Sequence, residues 1–220
     1  MRLNQFLAHH TDLSRRAADG AIQAGRVEVN GVPAQSGQQV SESDTITLDK
    51  KIVTAENQKP IILLLNKPTG YVCSRNGQGA ATIYELLPPK YHRLNPAGRL
   101  DKNSSGLLVL TNDGELANQL THPRYAKVKV YEVALKTPLE PLHQQMIQDY
   151  GIQLQDGPSK FLVEKLNSQG TKLKIIMKEG RNRQIRRTFE ALGYSVSALH
   201  RTHFGDYNLS GIKPGEIKVL

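Results

Sequence analysis

The four consecutive apolar side chains Leu107-Leu108-Val109-Leu110 constrain this chain more than any other feature. A strand with one face in water would alternate apolar and polar residues; this run does not, so it reads as a buried strand. Immediately before it lies a polar loop, Gly98-Arg99-Leu100-Asp101-Lys102-Asn103-Ser104-Ser105. A carboxylate at Asp101, flanked by Arg99 and Lys102, has its charged form favoured by its neighbours. On these residues alone, Asp101 reads equally well as half of a loop salt bridge or as a reactive group.

Around this strand the pattern is mixed. Residues 61–65, 70–74, 128–136, 160–166 and 172–178 have strand character. Helices are expected at 82–87, 113–121, 138–148 and 181–192, the last with Ile185, Phe189 and Leu192 on one face and Gly193 as its stop. Strands and helices are interspersed without strict alternation, which favours α+β with a mixed or antiparallel sheet over a doubly wound fold.

The first fifty residues have another texture. Leu3, Phe6 and Leu7 give one face of a short helix. Ser14 is the N-cap of a second, with Ala18 and Ile22 inward and Gly25 as its stop. Val27 and Val29 alternate with polar residues, Asn30-Gly31 is a hairpin turn signal, and residues 44–48 read as a closing strand. The polar stretch 51–59, ending before Pro60, reads as a linker. The expected domains are therefore 1–50, a linker 51–59, and 60–220.

Charge narrows the function. Lys and Arg number 29 against 20 Asp and Glu, a net +9. Residues 1–55 are neutral overall, so the excess falls in the second part. A basic surface favours a polyanion, because binding releases the counterions condensed on phosphates. Arg15, Arg16 and Arg26 fall near the helix ends that flank the hairpin, and at the helix start exposed N–H groups help Arg15 and Arg16 hold phosphate. A second cluster, with Lys178, Arg181, Arg183, Arg186 and Arg187 against Glu179, runs into the last helix. Arg183 and Arg187 lie off its apolar face and can reach phosphates. Lys67, in Asn66-Lys67-Pro68-Thr69-Gly70, is ordinary turn chemistry when taken alone.

Other classes are disfavoured. One cysteine, Cys73, excludes an intrachain disulfide framework and suits a reducing compartment. The longest apolar run considered, 61–65, falls far short of the roughly 18 residues of a membrane span. The N-terminus lacks the apolar stretch of a signal peptide. A cytoplasmic, monomeric protein without membrane association is expected. His9, His10, His200, His203 and Cys73 do not make a four-ligand metal set. Gly77-Gln78-Gly79 lacks the rest of a phosphate-loop or dinucleotide pattern. No metal and no cofactor is expected.

Two sets of motifs then carry a resemblance. Arg2-Leu3-Asn4, Ser14-Arg15-Arg16, residues 25–31, Val40 and Asp44-Thr45-Ile46 resemble the S4-type RNA-binding module. Residues 64–71, 98–118, His122-Pro123, 129–133, 179–187, Leu199, Arg201 and Phe204-Gly205 resemble pseudouridine synthases of the RsuA/RluB/RluE/RluF type, which carry an S4 module and modify ribosomal RNA. The resemblance implies a small N-terminal S4-like domain, two helices plus a hairpin, followed by a mixed or antiparallel-sheet pseudouridine synthase domain. It implies isomerisation of uridine to pseudouridine in ribosomal RNA, or in a pre-ribosomal particle, without a cofactor and with the target base flipped out of its stack. It makes Asp101 the catalytic aspartate, by attack on C1′ or by removal of the 2′ proton. Arg186 becomes the basic partner of that carboxylate, and Tyr131 the residue that stacks on the uracil. Arg99, Leu100, Ile185 and Leu199 fall at its substrate pocket. Lys67, Arg181, Arg183, Arg187 and Arg201 join Arg15, Arg16 and Arg26 as expected RNA contacts. Residues 114–118 and 151–157 resemble the large-subunit (23S) members more than the small-subunit ones. The competing reading is a non-catalytic RNA-binding or assembly factor built on the same modules; the joint presence of Asp101, Tyr131 and Arg186 speaks against it.

Overall fold

The computed structural model describes residues 1–41, 43–54, 59–77 and 79–220. They form two compact units, Met1–Lys59 and Pro60–Leu220.

In the first unit, α1 (Leu3–His10) and α2 (Arg15–Gln23) precede a four-stranded sheet. Its strands are β1 (Val27–Val29), β2 (Val32–Pro33), β3 (Ile46–Leu48) and β4 (Lys51–Ile52), in the order β2-β1-β3-β4. The Ser14 side chain accepts from the Ala17 N–H, satisfying one of the free donors at the start of α2. Asn30 and Gly31 both have positive φ, 53° and 80°, as a tight two-residue hairpin turn requires. Leu3, Leu7, Ala18, Ile22, Val27 and Ile46 close the core. The expected linker begins too early: Lys51–Ile52 pair with Thr47 and Leu48 as β4. Val53 also packs on that core. Residues 55–58 of the same stretch lie outside the described residues.

The second unit is built on one mixed sheet, β11-β12-β8-β13-β7-β5-β15, to which β14 and β6 add at β13 and β7. In chain order its strands are β5 (Ile62–Lys67), β6 (Asn95–Ala97), β7 (Ser105–Thr111), β8 (Lys129–Leu135), β11 (Leu162–Lys165), β12 (Lys172–Met177), β13 (Val196–Phe204), β14 (Tyr207–Asn208) and β15 (Ile217–Val219). A separate hairpin joins β9 (Ile152–Leu154) to β10 (Gly157–Ser159). Its helices are α3 (Gly114–Thr121), α4 (Pro141–Gln145) and α5 (Gln184–Ala191).

β7 explains its own sequence. Leu108 and Leu110 enter the larger core cluster with Leu63, Leu65 and Val133; Leu107 and Val109 enter a second with Leu64, Leu120 and Phe204. Both faces are covered, so no polar alternation survives. β7 pairs in parallel with β13, Arg201 opposite Gly106. A Cβ on Gly106 would lie 2.2 Å from the Arg201 carbonyl oxygen, and Gly106 has φ +108°, so only glycine fits this contact.

Several local expectations differ from the structure. Residues 70–74 form no strand beyond a single bridge, Val72 to Thr82; Gly70, at φ +94°, instead gives its N–H to the Lys102 carbonyl. The helix expected at 82–87 is a single 3₁₀ turn, Ile83–Leu86. The one at 138–148 is α4, which widens into a π-helical turn over Met146–Tyr150. The helix expected from 181 starts at Gln184, because Arg183 sits in the left-handed region at φ 47°. β13, a central strand, escaped the strand pattern because its polar residues find partners inside the fold: Arg201 Nε donates to the Leu107 carbonyl, and His200 pairs with Ser105.

Gly106→Ala is expected to destabilise the protein by about 3 kcal/mol or more, read as a lower denaturation midpoint. An unchanged midpoint would contradict this contact.

Candidate active site

A cleft of about 780 Å³ opens beside the loop between β6 and β7, within the size range of small-ligand sites. Arg99, Leu100, Asp101, Tyr131, Ile185 and Leu199 all line it.

The loop carrying Asp101 is held through its main chain. The Cys73 thiol donates to the Leu100 carbonyl at 3.3 Å and accepts from the Leu100 N–H at 3.4 Å. Lys67 Nζ donates to the carbonyls of Pro68 (3.0 Å), Asp101 (3.2 Å) and Ser104 (2.7 Å). The Gly70 N–H takes the Lys102 carbonyl at 2.8 Å, and Arg186 Nη2 takes that of Asn103 at 2.8 Å. Each carbonyl from Leu100 to Ser104 therefore has a donor. A loop whose backbone is satisfied in this way holds its side chains in one geometry.

These contacts revise four assignments. Lys67 is not an RNA contact: it is fully buried, at the end of β5, and spends all three donors on this loop. Burial pushes its ammonium down from the ordinary lysine range, against attraction from Asp101. Arg186 does not touch the Asp101 carboxylate. It braces Asn103 and donates to the Val196 carbonyl at 2.9 Å, while Asp101 acts on it only through electrostatic attraction. The cation that meets Asp101 is Arg183, with Nη1 3.6 Å from Oδ2, rather than Arg99 or Lys102. Arg201 is no surface contact either: it is 3% exposed, stacks 4.5 Å from the Phe204 ring centre, and lines the cleft from within.

Two more expected phosphate contacts are occupied internally. Arg187 forms a two-pronged pair with Asp156, at 3.0 and 2.7 Å. Arg181 reaches Asp156 and the carbonyls of Gly157 and Pro158, tying the segment before α5 to the β9–β10 hairpin. Asp156 is held below the usual carboxylate range chiefly by its hydrogen bond from Arg187. In the first unit, Arg26 pairs with Asp49 through both guanidinium arms, leaving Arg15 and Arg16 exposed without a hydrogen bond or ion pair among the described residues. Exposed cations that do line the cleft include Arg99, Lys102, Lys178 and Arg183.

Sequence reasoning missed Cys73 and Lys129. From sequence, Cys73 is a lone thiol without a disulfide partner or a metal set, not a brace for the loop. Its thiol is pushed up by burial, which keeps it protonated as a donor. Lys129 is 8% exposed and lines the cleft; its place two residues before Tyr131, on the same face of β8, was the available signal. Tyr131 is buried at 7% exposure and faces the cleft. Among the described residues no cluster of three or more His, Cys, Asp or Glu could hold a metal ion, and no helix is long and apolar enough to cross a membrane. Gln78, in the glycine stretch considered above, lies outside the described residues.

One cleft thus holds an Asp on a pinned loop, a buried tyrosine and several cations. Residues 61–191 match the RNA pseudouridylate synthase family, and residues 1–46 match the S4 domain. Ribosomal large subunit pseudouridine synthase B of Bacillus subtilis is 37% identical across this whole chain and 91% of its own length. An uncharacterized RNA pseudouridine synthase of Aquifex aeolicus is also 37% identical, over 90% of its length. The Xanthomonas campestris protein named ribosomal large subunit pseudouridine synthase B is 39% identical over 94% of this chain, which spans 44% of it. A crystal structure of a pseudouridylate synthase superposes on the whole chain and 96% of its own, with TM-score 0.71 and 32% identity. The chain belongs to the RNA pseudouridylate synthase family and carries an N-terminal S4 domain.

Lys67→Met would leave the carbonyls of Pro68, Asp101 and Ser104 without their shared donor. It is expected to cost about 3 kcal/mol and to speed amide hydrogen exchange across residues 99–104. Wild-type exchange in that loop would contradict the role given to Lys67.

Proposed function

We propose that this pseudouridine synthase acts on large-subunit ribosomal RNA, with Asp101 as its catalytic residue. The observation that carries the reading is the Asp101 carboxylate, one-third exposed at the cleft on a loop pinned at five successive carbonyls. The large-subunit assignment draws on the names of the Bacillus and Xanthomonas relatives.

The reaction exchanges one bond for another. The N1–C1′ bond breaks, the base turns, and a C5–C1′ bond forms; C5 loses a proton and N1 gains one, so no atom or electron is consumed. The uridine must leave its stack to expose C1′. Asp101 acts at the ribose, as nucleophile toward C1′ or as base toward the 2′ proton. Tyr131 stacks on the uracil, with Ile185 and Leu199 as the apolar walls around it. Its hydroxyl, which makes no hydrogen bond among the described residues, is the group available to take the C5 proton. Arg186 positions Asp101 through the loop, by holding Asn103, and Arg183 supplies the opposite charge. When substrate arrives, Arg183 can exchange the carboxylate for an RNA phosphate.

RNA is held outside the pocket by Arg99, Lys102 and Lys178, and in the S4 domain by Arg15 and Arg16 at the start of α2, where free backbone N–H groups add to the attraction. A ribosomal RNA substrate makes the cytoplasm the place of action.

Mapping pseudouridines in ribosomal RNA from cells lacking this protein tests the reading. One or a few positions in the large-subunit RNA should revert to uridine, and re-expression should restore them. A loss confined to small-subunit RNA would overturn the subunit assignment, and an unchanged map would overturn the ribosomal substrate.

A further inference from the structure

Lys129 and Arg201 are two buried cations on one aromatic ring. Lys129 Nζ lies 5.2 Å, and the Arg201 guanidinium carbon 4.5 Å, from the Phe204 ring centre. Both residues are more than nine-tenths buried, and both line the cleft. Neither has a carboxylate of its own. Lys129 makes no hydrogen bond or ion pair among the described residues. Arg201 uses only Nε, toward Leu107, and its buried Nη2 has no partner among them. The acid that acts on Lys129, Glu179, already lies 3.6 Å from Arg181 and accepts from Gln184. Burial and the neighbouring Arg201 both push Lys129 below the ordinary lysine range.

Two adjacent desolvated positive charges are costly unless an anion joins them. The Phe204 face offsets part of that cost, but an aromatic ring does not neutralise a charge. We infer that Lys129, backed by the charge of Arg201, forms an anion subsite that receives a backbone phosphodiester of the RNA next to the target uridine. The inference rests on the reading of Asp101 and Tyr131 given above. Lys129 and Tyr131 project from one face of β8, two residues and so about 6.6 Å apart along the strand. That is the reach from a base to its own backbone, so a uracil on Tyr131 brings a phosphate to Lys129. Phe204 pairs with Lys129 and Arg201 with Tyr131 across β13, which fixes the two cations at one end of the cleft. Lys129 is then the contacting group. Arg201, whose Nε is tied to Leu107, is the fixed charge behind it.

The test pairs a protein change with a substrate change. An RNA hairpin containing the modified uridine is prepared with each flanking phosphate replaced in turn by a neutral methylphosphonate. Affinity and turnover are measured for the full-length wild type, Lys129→Met and Lys129→Arg. One methylphosphonate should weaken wild-type binding by roughly tenfold, the size of a lost charge-assisted contact. Lys129→Met should lose the same factor on unmodified RNA and become indifferent to that one methylphosphonate, while Lys129→Arg recovers most of the affinity. Full additivity at every position, wild-type affinity in Lys129→Met, or a loss confined to kcat would overturn the subsite. The last would place Lys129 at the uracil instead. Wild-type turnover of the unmodified hairpin reports separately on the underlying reading, which fails if no pseudouridine forms.

Discussion

Five consecutive carbonyls, from Leu100 to Ser104, are held by four donors from two stretches of chain: Lys67, the Gly70 N–H and Cys73 in residues 67–73, and Arg186 in α5. A polar loop at the edge of a cleft would ordinarily sample several conformations, since each free residue gains on the order of 1–2 kcal/mol in backbone entropy at room temperature. Here that freedom is removed before substrate arrives. Lys67 matters most among the four, because a single fully buried ammonium bridges both ends of the loop. It can do so because β5 delivers it from the sheet interior, paired with Gly106 at the start of β7. The fold and the site meet at that pairing: Gly106 admits β13, β13 carries Leu199 and Arg201, and the loop just before Gly106 carries Asp101.

The basic residues divide into two populations. Lys67, Arg186, Arg201, Arg181 and Arg187 point into the protein and hold loops, strands and a hairpin together. Arg99, Lys102, Lys178 and Arg183 face the cleft from exposed positions, as Arg15 and Arg16 face solvent in the S4 domain. The net charge of +9 therefore overstates what is free to meet RNA. Long-range attraction still draws on all of it, whereas contact depends on the second group and, at the inferred phosphate subsite, on Lys129.

The α+β class, the S4 module and the buried character of β7 were legible because each rests on local pattern: helix periodicity in Leu3, Phe6 and Leu7, a turn at Asn30-Gly31, and an unbroken apolar run. Asp101, Tyr131, Ile185 and Leu199 were legible through family motifs, and they line one cleft. What escaped depended on tertiary partners. A lysine before a proline gives no hint that β5 buries it, and an Arg-rich segment does not reveal that Asp156, 25 residues before Arg181, engages two of its members. β13 was unreadable for the same reason, since His200 and Arg201 suit a central strand only when Ser105 and Leu107 supply hydrogen-bond partners.

The central claim is that this pinned loop exists to present one carboxylate, and replacing Asp101 by Asn tests it most directly. Tritium release from C5 of uridine in a large-subunit ribosomal RNA transcript is the measurement. The substitution keeps the side chain's shape, so the loop and RNA affinity should persist while release falls by at least about a hundredfold. Release near the wild-type rate from a folded, RNA-binding Asp101→Asn protein would contradict the account.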